Sequence, residues 1–312
     1  MTDSGASRAA ADGFDSITLR SPDGSTEAEF VPAANMVCCS LRYDGAEYLD
    51  EGRGLASYAE RGKTMGIPLL YPWANRLAGF AYDAAGKHVV VPQTPAVPVD
   101  PAGLPIHGAL PGLMRWQAEH SGPGALAATL SWDEPELLEL FPFAHEVGFE
   151  ARVDRGMLAI TTTVQATSDD AVPVSFGYHP YLRLPGTSRD TWRVTLGAFR
   201  RLVLDARMIP TGEREPAEPR AFQLQERSLD DAFDALAVPA EFTATDGAAT
   251  MAVEFVDGFA YAQVYAPLGK DFICFEPMTA PTNALNSGDG LRILAPGERH
   301  RATFTISVLP AR

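Results

Sequence analysis

The chain predicts an all-β sandwich. Three observations carry that expectation: apolar residues recur at every second position in many short runs, glycines and prolines punctuate those runs, and helical periodicity is scarce. Apolar residues at alternate positions turn one face of a strand towards a core and the other towards water. The runs are 125–132 (ALAATLSW), 145–153 (HEVGFEARV), 157–167 (MLAITTTVQAT), 260–268 (AYAQVYAPL), 271–277 (DFICFEP) and 301–309 (RATFTISVL). The short DRG at 154–156 joins the second to the third and reads as a hairpin, its glycine taking the backbone angles other residues avoid. Between the runs lie 25 prolines and 27 glycines, densest in PQTPAVPVDPAG (92–103), which reads as a loop. Two short segments carry helical patterns, EPELLEL (134–140) and SLDDAFDAL (228–236). In the second, Ser228 would cap the helix and the two aspartates would suit its positively polarised first turn. Many short strands with few helices make a sandwich. No repeat and no compositional break divides the 312 residues, so we expect one domain over 1–312, with the small, polar 1–16 a flexible start.

Composition narrows the function. Apolar residues are 46% of the chain, enough for an ordinary globular core. A formal charge of −15 repels nucleic acid. No stretch approaches the length of a membrane span, and the first residues lack the apolar core of a signal peptide. Cys38, Cys39 and Cys274 show no metal-ligand spacing, and the adjacent pair is poorly placed to bond to itself. The expectation is a cytoplasmic protein in a reduced compartment, a monomer or homodimer, with no metal or other cofactor.

Of six histidines, His88, His120 and His300 lie in polar neighbourhoods, and His145 opens a strand beside Glu146, all reading as surface or structural residues. His107 (LPIHGALPG) and His179 (GYHPYL) are bracketed by chain-bending residues at strand ends, where rigid β scaffolds carry their binding groups. Each reads as either catalytic or structural. Pro180 ends the regular ladder after His179 and pushes that histidine to an extended or turn conformation. Glu276 closes an apolar strand, where desolvation would raise its basicity; the alternative is a solvated strand-end acid. Asn75 and Arg76, in PLLYPWANRLAGF, combine the five donors of a guanidinium with an amide, a pair suited to vicinal hydroxyls or to tying down loops. Asp230 or Asp231 could accept from a hydroxyl or start a helix. Trp73, Tyr178 and Tyr265 could offer a flat face to the C–H side of a sugar, or simply pack.

Five stretches, YPWANRLAGF, LPIHGALPG followed by RW, SFGYHPYLRL, LDDAF and ICFEPMTAPTNAL, occur in this order over residues 71 to 285. In that combination the chain resembles the aldose 1-epimerase (galactose mutarotase) family. The resemblance implies a large antiparallel β-supersandwich and interconversion of the α and β anomers of a free aldose, without metal, nucleotide or covalent adduct. It matches Glu276 to the general base, His179 to the general acid, His107 to the second active-site histidine, Arg76 to the substrate-binding arginine and Asp230 to the substrate-binding aspartate, with Asp231 as the fallback. PLLYPWANR stands where the family's stretch bears glycine and tyrosine, and GALPG where a double glycine is commoner, which marks a divergent subgroup. Rival readings are a hexose-6-phosphate mutarotase, with Arg53, Arg61 and Lys63 as the phosphate site, a glycoside hydrolase, and a non-catalytic sugar-binding protein.

Overall fold

The structure of the protein, a computed structural model, describes residues 8–9, 13–216 and 218–310. Alternation does what the sequence asks. Along His145–Asp154 every second residue is buried, and its partners Ala125–Trp132 and Met157–Ala166 flank it in antiparallel register. Tyr261–Ala266, Cys274–Met278 and Arg299–Pro310 are the other expected strands. Arg155 and Gly156 make the hairpin turn, Gly156 with φ 67°. Among the described residues one antiparallel sheet of 15 strands holds all of these. A second, five-stranded sheet covers Arg8–Ala9 to Ala46–Glu47. The aromatic core between strands runs through Phe242, Phe255, Phe259 and Phe304.

One end of the large sheet positions the site. There Leu69–Leu70, Gly177–Tyr178, Cys274–Met278, Tyr261–Ala266 and Leu229–Asp234 lie side by side. Their register sets Gln263 opposite Glu276 and Asp230 opposite Tyr265. Directly paired residues share a face, so these four side chains project together.

Four expectations need correction. SLDDAFDAL is not a helix: Leu229–Asp234 is a strand hydrogen-bonded on both sides, to Tyr261–Ala266 and to Arg193–Leu204. A single short helical pattern is marginal by itself, and two ladders of backbone hydrogen bonds outweigh it. The expected flexible start does not hold for Asp15 and Ser16, because Asp15–Arg20 is a strand paired to Thr26–Val31; residues 1–7 and 10–12 lie outside the described residues. His145, for which a surface role was expected, is buried, and so is His300, which fits the structural side of its reading. The Tyr71 hydroxyl donates to His145 Nε2, and His145 Nδ1 meets the Phe143 carbonyl, so an apolar surround of Trp132 and Phe141 holds that imidazole neutral. EPELLEL is a helix as expected, Pro135–Leu140, but a helix at Leu55–Arg61 was not foreseen; it ends at Gly62, whose N–H returns to the Tyr58 carbonyl from a left-handed conformation.

Gly108 shows how tightly the segment after His107 is packed. It sits at φ 78°, and a Cβ there would lie 2.0 Å from the Tyr71 carbonyl oxygen. Gly108→Ala combines left-handed strain with a backbone clash and should cost about 3 kcal/mol. Chemical denaturation checks this, and an unchanged midpoint would refute the packing argument.

Candidate active site

His179 follows the strand Gly177–Tyr178 directly and is anchored by its backbone. Its N–H donates to the Pro68 carbonyl (3.2 Å), and two residues on, the Tyr181 N–H donates to the Gly66 carbonyl (2.8 Å). Pro180 between them needs no partner for the N–H it lacks. The imidazole is then boxed by rings. Tyr181 stacks parallel to it at 4.5 Å and 7°, Tyr265 meets it edge-on at 5.7 Å, and the His107 ring stands 5.7 Å away at 84°. Thr64 holds the far end of Tyr181 through a 2.6 Å hydroxyl pair.

Glu276 arrives from the neighbouring strand, Cys274–Met278, all five residues of which are buried. Its Oε1 lies 3.3 Å from His179 Nε2. Burial pushes the Glu276 carboxyl well above the usual carboxylate range; Asp230 adds to that and the Arg76 charge opposes it. Burial likewise pushes His179 down, to about 3. A neutral carboxyl beside a neutral imidazole holds one proton in total. So does a carboxylate beside an imidazolium, so the two forms interconvert by a proton shift within the pair.

The other side of the pocket is built by loops in an unusual backbone state. Asn75 (φ 55°), His107 (φ 64°) and Asn283 (φ 68°) all sit in the left-handed region, each at about 1 kcal/mol. They brace one another. The His107 N–H donates to the Asn75 carbonyl, the Asn283 N–H donates to the Arg76 carbonyl, and Asn283 Oδ1 accepts from the Ala78 N–H. Desolvation, with the nearby His179 and Arg76, pushes the His107 imidazole well below its ordinary value. Arg76 donates from Nε to Asp100 Oδ2 (2.7 Å) and from Nη1 to Asn75 Oδ1 (3.0 Å).

Asp230 faces this pocket and accepts from Gln263 Nε2; burial pushes its carboxyl up. Asp231, the fallback, points to the other side of its strand, where it pairs with Arg201 at 2.8 Å. Gln263 was missed by sequence reasoning. It is buried, and its Oε1 has no protein partner. Its signal was available: Ala262, Val264 and Ala266 make one apolar face of that strand, which leaves Tyr261, Gln263 and Tyr265 to share the other. Asp100 was also missed, hidden in the proline-rich loop.

Thus Glu276, His179, His107, Arg76, Asn75, Asp230 and Tyr265 converge. Trp73 and Tyr178 do not serve as platforms. Trp73 is fully buried with its ring towards Tyr82. Tyr178, one residue from His179, alternates to the opposite face, packs on Phe304 at 4.8 Å and pairs its hydroxyl with Thr162. Arg53, Arg61 and Lys63 are solvent-exposed; Arg61 donates to Ser57, and Arg53 lines a groove shared with Glu29, Glu47 and Glu51. Among the described residues no three His, Cys, Asp or Glu side chains are grouped to hold a metal ion, and no helix is long and apolar enough to cross a membrane.

Known proteins carry the same architecture. A galactose mutarotase-like protein from Clostridium acetobutylicum superposes with a TM-score of 0.81 at 18% identity, covering 95% of this chain and 96% of the other. Galactose 1-epimerase from Lactobacillus acidophilus NCFM gives 0.76 at 15% identity over 98% of each. The Slr1438 protein from Synechocystis sp. PCC 6803 gives 0.75 at 24% identity over 95% and 96%. These likenesses establish the large antiparallel β fold of the galactose mutarotases. In sequence, the uncharacterized protein YihR of Escherichia coli K12 is 26% identical over 275 residues, 82% of this chain and 87% of its own. The sequence pattern of aldose 1-epimerases matches residues 38–307, a span that contains every converging residue named above, and the chain belongs to the aldose 1-epimerase family.

Proposed function

We propose that this protein is an aldose 1-epimerase that interconverts the α and β anomers of a free aldose such as glucose or galactose. The observation that carries the reading is the 3.3 Å approach of Glu276 Oε1 to His179 Nε2, both side chains buried. Ring opening breaks the C1–O5 bond. Glu276 takes the proton of the C1 hydroxyl as the carbonyl forms, and His179 gives a proton to O5 as it leaves. The open aldehyde turns about C1–C2, and closure on the other face returns both protons. O1 and O5 hang on the same carbon, so an acid and a base this close can serve both in one bound state. Such proton transfers typically contribute about 10²–10⁴-fold. Arg76, Asn75, Asp230 and Gln263 offer donors and acceptors for the remaining hydroxyls, His107 a further ring nitrogen, and Tyr265 an aromatic edge.

The test is polarimetry or proton NMR on freshly dissolved α-glucose and α-galactose. Faster approach to anomeric equilibrium with the protein present is the expected result. An unchanged rate with both sugars and with their 6-phosphates would end the reading, and sugar release from aryl glycosides would replace it with hydrolysis.

A further inference from the structure

We propose that Asp100 is a positioning residue for the reaction: it clamps the Arg76 guanidinium so that the nitrogen left unpaired faces the sugar. This rests on the reading above. The clamp is built in steps. Asp100 sits in the proline-rich loop 92–103, and its Oδ1 accepts the backbone N–H groups of Ala102 and Leu104, both at 2.9 Å. Its own N–H donates to the Leu104 carbonyl, so the carboxylate is fixed by the loop before it meets Arg76. Its Oδ2 then accepts from Arg76 Nε at 2.7 Å, with the Asp100 side chain only 5% exposed. The two segments are tied side by side, Arg76 bridging Ile106 and the Ile106 N–H donating to the Pro98 carbonyl. With Nε on Asp100 and Nη1 on Asn75, nothing among the described residues accepts from Nη2.

The alternative acceptors explain why a clamp is needed. Arg76 is close enough to act electrostatically on Glu276, Asp230 and His107. An unrestrained guanidinium in so dry a pocket would fold onto Asp230 or Glu276, occupying a hydroxyl acceptor or the base itself. Asp100 supplies a carboxylate that stands outside the reacting pair, one oxygen on its own loop and the other on Arg76, and holds the cation off the reacting centre.

The test uses the full chain. In Asp100→Asn the amide oxygen can keep the loop hydrogen bonds, but an N–H is turned towards Arg76 Nε. For the aldose turned over by the unsubstituted protein, KM should rise about tenfold while kcat changes less than about threefold, the mark of lost ground-state orientation. The Arg76 Nε–H resonance should exchange slowly with water in the unsubstituted protein and fast in Asp100→Asn. In Asp100→Ala, added formate should restore KM and chloride should not. Unchanged KM overturns the proposal. So does a raised KM accompanied by slow Nε–H exchange and no response to formate, which would assign Asp100 to loop structure alone. If no aldose is turned over, the functional reading fails, and the exchange measurement still decides whether Asp100 holds Arg76.

Discussion

Replacing Glu276 by glutamine should lower kcat by about 10³–10⁴-fold while sugar affinity stays within about threefold. The substitution keeps size and shape inside a fully buried strand and removes only the carboxylate proposed to accept the C1 proton. Folding should not suffer. A carboxyl held above its ordinary range by burial destabilises the native state once it ionises, and a neutral amide does not carry that cost. The protein should therefore unfold at the same or a higher denaturant concentration, the difference growing as pH rises from the ordinary carboxylate range towards the raised Glu276 value. Saturation-transfer NMR or calorimetry gives the affinity and polarimetry the rate. Wild-type turnover in this variant would remove Glu276 from the mechanism.

His179→Asn should cost about 10²–10³-fold in kcat, because O5 would then have to find its proton in water. The pH profile carries a sharper expectation. In the unsubstituted protein the working state is the pair with one proton. Burial pushes Glu276 up and His179 down to about 3, so the one-proton form occupies the range between about 3 and the raised Glu276 value. Activity should fall on the acid side as a second proton binds the pair, and on the alkaline side as the last one leaves: a broad bell. Without His179, Glu276 must ionise alone from a raised value, so residual activity should climb with pH and show a single limb. A wild-type profile flat from mildly acid to strongly alkaline pH, or a bell retained in the variant, would dissociate these two residues from proton transfer.

The legible parts of this chain were those with local causes. Strands such as His145–Asp154 announce themselves because a half-buried strand must alternate. Glu276 stood out because it closes an apolar strand and His179 because chain-bending residues bracket it at a strand end, while their roles came from the family resemblance. The illegible parts had distant causes. Leu229–Asp234 carries a helical pattern that only its two strand neighbours override. Choosing Asp230 over Asp231 required the sheet's register, since adjacent residues differ only in the face they present. Asp100 was not singled out within the loop 92–103, because its partner lies 24 positions upstream. The ring on His179 is Tyr181, not Tyr178, since flanking residues in an extended chain point away from each other.

The left-handed trio Asn75, His107 and Asn283 belongs to the connecting segments, whereas Glu276, Gln263 and Asp230 stand on paired strands. The pocket is thus a workbench with two kinds of fixture. The proposed base is bolted to the bench, where a shift of one position would put Phe275 or Pro277 in its place. The left-handed segments are separate parts, exchangeable for others of different shape, so on the function proposed above a new sugar would be met by refitting those parts with the bolts left alone.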